Sequence, residues 1–203
     1  MAQYKKDEIK KRILLNAKEE FMEKGFLNSS MRDIAKKSKI SVSNMYNYFI
    51  NKEELFQKIV KDVYQEILHF NTTEAISMYY TRIDHYESDL EKTISQLISY
   101  VAKNKEVLKL LLIKSTGSQY ADFRNELKEL YYDIEVSTAK EKFKTHPQVL
   151  KKMPSEDLIK SLCDLYINPF EKFLRDQLSE SELRIRLNEL NEFLIHGINF
   201  FLQ

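Results

Sequence analysis

The stretch Ser30-Met31-Arg32-Asp33-Ile34-Ala35-Lys36-Lys37-Ser38-Lys39-Ile40-Ser41-Val42-Ser43-Asn44-Met45-Tyr46-Asn47-Tyr48-Phe49-Ile50-Asn51-Lys52-Glu53-Glu54-Leu55 decides the fold. Three helix starts are written into it. Ser30, with Asp33 three residues on, makes a capping box. Ser41 caps a second short helix, expected from Val42 to about Phe49. Asn51-Lys52-Glu53-Glu54 opens a third, long helix through Leu55, Phe56, Ile59, Val60, Val63 and Ile67. Starts this closely spaced require tightly turned helices, the pattern of a helix-turn-helix unit. Upstream, Ile9, Ile13, Ala17 and Phe21 repeat every four residues and form one apolar stripe. Gly25 ends that helix, and Phe26 is expected to fold back onto its last turn.

Composition supports an all-helical chain. Of 203 residues, 43% are hydrophobic and 31% charged, enough for a core and incompatible with wholesale disorder. Three Gly and three Pro cannot punctuate a β-sandwich, a barrel or a series of βαβ units. Gly25, Gly117 and Gly197 lie far apart, so no dinucleotide fingerprint and no phosphate loop exist. The single cysteine, Cys163, excludes an internal disulfide framework and is read as a buried small side chain. His85, His146 and His196 lack metal spacing and His69 stands alone, so neither metal nor cofactor is expected. No signal core and no spanning apolar segment are found, and the expectation is a cytoplasmic protein without membrane contact.

The net charge of +1 hides an asymmetry. Residues 1–65 hold 14 Lys/Arg against 9 Asp/Glu, whereas residues 66–203 hold 18 against 22. A basic front on a mildly acidic body suggests a module that meets a polyanion. Within the front, Met45 and Phe49 form the inner face of the second short helix, leaving Val42, Ser43, Asn44 and Asn47 outward. Asn pairs bidentately with adenine, Ser bonds several bases and Val touches a thymine methyl. Lys36, Lys37 and Lys39 add sequence-independent attraction.

The stretch from Lys24 to Leu55 resembles the DNA-binding region of the TetR family of transcriptional regulators. The shared features are Gly-aromatic at a helix end, Arg32-Asp33-Ile34-Ala35, a Ser-capped helix ending in Tyr46-Asn47-Tyr48-Phe49, and Lys52-Glu53-Glu54-Leu55. One departure is Lys39, in a turn where the family commonly has Gly. A positive φ there would cost a lysine about 1 kcal/mol. The resemblance covers roughly residues 7–65. It implies DNA contact by Ser30, Arg32, Lys39, Ser41, Val42, Ser43, Asn44, Tyr46, Asn47, Tyr48 and Lys52. Tyr46 and Tyr48 correspond to phosphate-contacting aromatics, while Ser30 and Lys52 stand at helix starts that favour a phosphate.

The implied architecture is a three-helix DNA-binding head over residues 1–50, with its signature reaching about 66. A helical ligand-binding and dimerisation domain over 51–203 completes about nine helices. The implied partners are a palindromic double-stranded operator, a second copy of the chain, and a largely apolar small-molecule effector. Candidate effector contacts are Tyr100, Leu108, Leu111, Leu112, Tyr120, Phe123, Leu127, Tyr131 and Tyr166, an apolar set with a few hydroxyls. Candidate interface residues are Leu158, Leu162, Phe170, Leu187, Leu190, Leu194, Gly197 and Phe201, on two helices expected near 155–178 and 180–202. Pro169 is expected to kink the first of these. Two other readings stay open: an all-helical enzyme, with Asp84, His85 and Glu87 as a candidate acid/base cluster, and a helical adaptor. Binding to duplex DNA separates the leading reading from both.

Overall fold

The computed structural model describes residues 2–80, 86–145, 152–176 and 178–202. Among them it contains nine α-helices and no strand. In chain order these are α1 (Ala2–Asn28), α2 (Met31–Lys37), α3 (Val42–Met45), α4 (Lys52–Tyr80), α5 (Tyr86–Lys103), α6 (Lys105–Lys109), α7 (Phe123–Thr145), α8 (Glu156–Asp176) and α9 (Glu180–Leu202). A π-helical turn, Leu110–Lys114, continues α6. The Asp84–His85 part of the acid/base cluster, and His146, lie outside the described residues.

The chain forms two compact units. The first comprises residues 1–66 together with 106–124, and the second 67–105 with 125–203. This division lies elsewhere than the motif boundary near residue 50. The apolar run Val107–Ile113 joins the core of the front helices through Leu108, Leu110 and Leu111. Ile13, Ala17, Phe21, Ile34, Met45, Phe49, Leu55, Phe56, Leu110, Leu111 and Phe123 are all fully or almost fully buried. An aromatic chain runs through this core. Phe56 lies edge-on to Phe21 at 5.1 Å and to Phe26 at 5.2 Å between ring centroids. Tyr120 meets Phe56 at 6.0 Å and Tyr64 at 4.9 Å, and Tyr64 meets Phe123 at 5.3 Å. Such pairs each add about 0.5–1.5 kcal/mol beyond their area burial.

Two glycines make this packing possible. Gly25 breaks the helical path of α1 with φ 74° and ψ 166°, which turns Phe26 back onto Phe21 as its position suggested. Gly117 has φ +88°, and a Cβ there would meet Leu27 Cδ1 at 2.9 Å. The loop Ser115–Ser118 can therefore press on the end of α1, and Gln119 N–H reaches Glu53 Oε1 at 3.0 Å.

The second unit packs α5 and α8 against α9. Ile98, Val101, Ile134, Ile159, Cys163, Ile167, Phe173, Leu174, Leu183 and Leu187 fill its core. Arg184 donates to Ser95 Oγ at 3.0 Å, and Lys128 pairs with Asp164. The break between α8 and α9 is a capping box: Ser179 Oγ accepts from Glu182 N at 3.3 Å while Glu182 accepts from Ser179 N at 2.8 Å. Pro169 lies inside α8, which runs through it.

Candidate nucleic-acid interface

Each short helix of the front starts where its cap residue predicts. Ser30 Oγ accepts from Asp33 N at 3.1 Å and Ser41 Oγ from Asn44 N at 3.1 Å. Asn51 Oδ1 accepts from Glu54 N at 2.8 Å, and Glu54 reaches back to Ile50 N at 2.7 Å. The second helix is shorter than expected. After Met45 three-residue bonds enter, Asn47 N to Asn44 O at 3.1 Å and Tyr48 N to Met45 O at 3.0 Å, beside a four-residue bond from Phe49 N to Met45 O at 3.1 Å. Met45 and Phe49 are buried beneath it, so the reading segment is held from behind.

The turn ahead of this segment passes through Lys39 at φ 53°, in the left-handed region, so the lysine bears the steric cost that a positive φ there carries. Arg12 braces the same turn, its Nε donating to Ser38 O at 3.1 Å. Above the turn, Ser41, Val42, Ser43, Tyr46 and Asn47 are exposed, and Asn44 and Tyr48 are half-buried. Ser41 and Ser43 hydroxyls meet at 3.0 Å. Asn47 Nδ2 donates to Asn44 Oδ1 at 3.3 Å, so the two amides orient each other. Asn47 keeps its oxygen and one N–H, the acceptor and donor that match the N6–H and N7 of adenine. Arg32 and Lys39 are exposed beside this surface, and Ser30 is half-buried at the start of α2.

Lys52 is turned inward. Its Nζ donates to Phe26 O at 2.6 Å, Ser29 O at 2.9 Å and Leu27 O at 3.3 Å, and lies 4.3 Å from the Phe26 ring centroid. An ammonium has three donors, and backbone carbonyls occupy all three. The residue expected at a phosphate is therefore a cap on the open carbonyls of α1. Burial holds its pKa below the usual lysine value. Position at a helix start gave no hint of this, because the acceptors are more than twenty residues away.

A buried carboxylate, absent from the expected site, locks α1 to α2. Glu20 is fully buried, with Lys24 Nζ at 2.6 Å and Lys37 Nζ at 2.8 Å. Lys24 also pairs with Asp33 at 3.1 Å and Lys37 with Glu23 at 2.7 Å. Burial pushes the Glu20 carboxyl up, but hydrogen bonds from Lys24 and Lys37 outweigh it and hold it below the usual range. Those partners push Lys37 upward, Glu20 first and Glu23 second. The sequence did carry a signal, since Glu20 continues the Ile13–Ala17 stripe.

The candidate effector residues divide between the units. Leu108, Leu111, Tyr120 and Phe123 are buried and Leu112 is half-buried in the first unit. Leu127 is buried and Tyr100, Tyr131 and Tyr166 are half-buried in the second. Burial drives the Tyr131 hydroxyl up to about 12 and the Cys163 thiol up to about 11, so both stay neutral at ordinary pH. Among the candidate interface residues, Leu158 is exposed, while Leu162, Phe170 and Leu190 are half-buried. Leu187 is only 4% exposed and belongs to the core of its own unit. Ile185 and Phe193, not expected, are exposed at 57% and 69%. The side chains of Leu194, Gly197 and Phe201 lie outside the described residues.

Residues 13–59, the helix-turn-helix and its flanking turns, match the model for bacterial regulatory proteins of the tetR family. Over that segment the chain is similar to the tetR family. Over 49 residues it is 47% identical to the HTH-type transcriptional regulator UidR of Escherichia coli K12, covering 24% of this chain and 25% of UidR. The chain thus matches about a quarter of that relative's length. An HTH-type transcriptional regulator of Staphylococcus aureus is 27% identical over 148 residues, 70% of this chain and 71% of that one. In fold, the chain is similar to NalD, the secondary repressor of the MexAB-OprM multidrug efflux pump in Pseudomonas aeruginosa. The TM-score is 0.58 at 16% identity, over 93% of this chain and 96% of NalD. These relatives are regulators of transcription rather than enzymes. No described helix is long and apolar enough to cross a membrane.

Proposed function

We propose that this protein is a sequence-specific DNA-binding regulator of transcription, a repressor that works as a homodimer on a palindromic operator in the cytoplasm and has no enzymatic role. One observation carries the reading: a Ser41-capped segment, seated on buried Met45 and Phe49, presents Val42, Ser43, Asn44 and Asn47 outward within the stretch that matches the family. Two such segments, related by a two-fold axis, read half-sites about 34 Å apart. The pairing surface is the α8 stripe Leu158, Leu162 and Leu165 with Ile185 and Phe193 of α9. Its exposed apolar side chains support an interface with a second copy.

Release follows from a mostly apolar effector held in the second unit near Tyr100, Leu127, Tyr131 and Tyr166. By reciprocity, an effector that prefers the free dimer weakens DNA binding by the same factor, about 5–150-fold for a typical coupling. The test is a mobility shift with the DNA upstream of the protein's own reading frame, searched for an imperfect palindrome, against a random duplex of equal length. Retention of the upstream fragment at lower protein concentration is expected. Equal binding to both refutes sequence-specific regulation at that site, and binding to neither refutes the DNA reading.

A further inference from the structure

Resting on the DNA-binding reading above, we propose that Asn44 reads no base itself but aims Asn47, so that the two amides together demand one A·T pair in each half-site, with adenine facing Asn47. An exposed asparagine is a poor reader on its own. Its amide torsion is broad and roughly two-fold, so its donor and acceptor change places with little resistance. Reading a base then costs the loss of that freedom. At Asn47 the structure removes it beforehand. Asn47 Nδ2 donates to Asn44 Oδ1 at 3.3 Å, and Asn47 N donates to Asn44 O at 3.1 Å. Asn44 is itself fixed by the helix cap, its backbone N–H donating to Ser41 Oγ at 3.1 Å. A ladder of bonds therefore climbs from Ser41 through Asn44 to Asn47, out of α3 and into the turn after it. Buried Met45 and Phe49 hold that turn from behind.

The two asparagines are not equivalent. Asn44 is half-buried and its oxygen is engaged, whereas Asn47 is exposed. With one N–H spent on Asn44, the Asn47 amide keeps an oxygen and a second N–H for a partner. Of the base edges in the major groove, only adenine offers a donor beside an acceptor, N6–H and N7, to match them. Guanine presents two acceptors, N7 and O6, so one of them would face the amide oxygen. Cytosine presents a donor alone, and thymine an acceptor beside a methyl group. Rotating the Asn47 amide by half a turn would set its oxygen against that of Asn44, two acceptors with no proton between them. The bond to Asn44 thus fixes the order of donor and acceptor as well as their direction.

The test is selection from a pool of random duplexes by the full chain, followed by sequencing of what is retained. The parent is expected to enrich a palindrome in which one position of each half-site prefers an A·T pair by about 5–150-fold, the discrimination of a good bidentate contact. Asn47→Ala is expected to erase that preference. Asn44→Ala is expected to weaken it at the same position by about 2–10-fold, through the freedom returned to Asn47. Asn44→Asp keeps an acceptor for Asn47 and is expected to restore the preference. A carboxylate also suits the first turn of a helix, so this variant is expected to fold. Its added charge weakens binding to every duplex alike, which leaves the ratio between bases as the readout. If Asn44→Ala changes a different position from Asn47→Ala, the residues read separate bases and the proposal is overturned. An unchanged preference in either alanine variant, a base pair other than A·T at the shared position, or Asn44→Asp behaving like Asn44→Ala overturns it as well. A parent that enriches no sequence overturns the sequence-specific DNA reading itself, an outcome distinct from these.

Discussion

Replacing Lys52 by Met separates a structural cap from a phosphate contact. Methionine keeps an unbranched stem over the Phe26 ring and deletes the ammonium. The two short bonds, 2.6 Å to Phe26 O and 2.9 Å to Ser29 O, involve part-buried groups, whereas the third, 3.3 Å to Leu27 O, is exposed. Hydrogen bonds from a charged donor contribute about 1.5–3 kcal/mol each when well formed, and shared donors add less than their sum. The expected loss is therefore about 2–4 kcal/mol, with the exposed bond contributing little. For a chain of this size that lowers Tm by about 5–15 °C. Because the ammonium faces carbonyls, the salt dependence of DNA binding by the folded variant should match the parent. A lysine on phosphate would instead lower the slope of log K against log salt by about one unit and leave Tm nearly unchanged. Thermal denaturation and anisotropy titrations at several salt concentrations measure both quantities. An unchanged Tm with a reduced slope refutes the inward reading of Lys52.

Asn47→Ala should weaken operator binding by about 1–3 kcal/mol and leave random-duplex affinity nearly unchanged; equal loss on both removes its base-reading role. Lys39→Gly should stabilise the front by up to about 1 kcal/mol in a denaturant melt, because φ 53° strains any side chain. Leu165→Glu places two charges in one two-fold interface and should give monomers by light scattering, with loss of operator binding; a persisting dimer moves the interface off α8. Glu20→Gln should destabilise the fold by about 1–2 kcal/mol near neutral pH, since it ends two ion pairs to partly exposed lysines that keep Asp33 and Glu23 as partners. The Glu20 carboxyl titrates lower when folded than when unfolded, so its stabilisation is complete above the unfolded pKa, about 4.3, and disappears as pH falls through the folded value. The Gln variant should lose that part of the acid sensitivity, which melts across the range pH 3–6 would measure.

Local chemistry made the front legible. A cap serine or asparagine acts on a backbone N–H two or three residues away, so Ser30, Ser41 and Asn51 mark helix starts in the sequence and do so in the structure. The apolar stripe of α1 and the scarcity of Gly and Pro likewise fix an all-helical chain through short-range rules. The left-handed turn at Lys39 was an open condition in the sequence, raised only by the Gly common at that place in the motif, and the structure settles it at φ 53°. What tertiary packing alone decided lies at long sequence separation. Lys52 finds its carbonyls on the far end of α1, and residues 106–124 join the front because its aromatic core needed Tyr120 and Phe123. Leu187 faces its own core while Ile185 faces outward, a choice set by where α5 and α8 lie against α9. An amphipathic pattern says that a helix has an apolar side; only the neighbours that arrive from elsewhere in the chain determine which apolar side chains are used up at home and which are left for a partner.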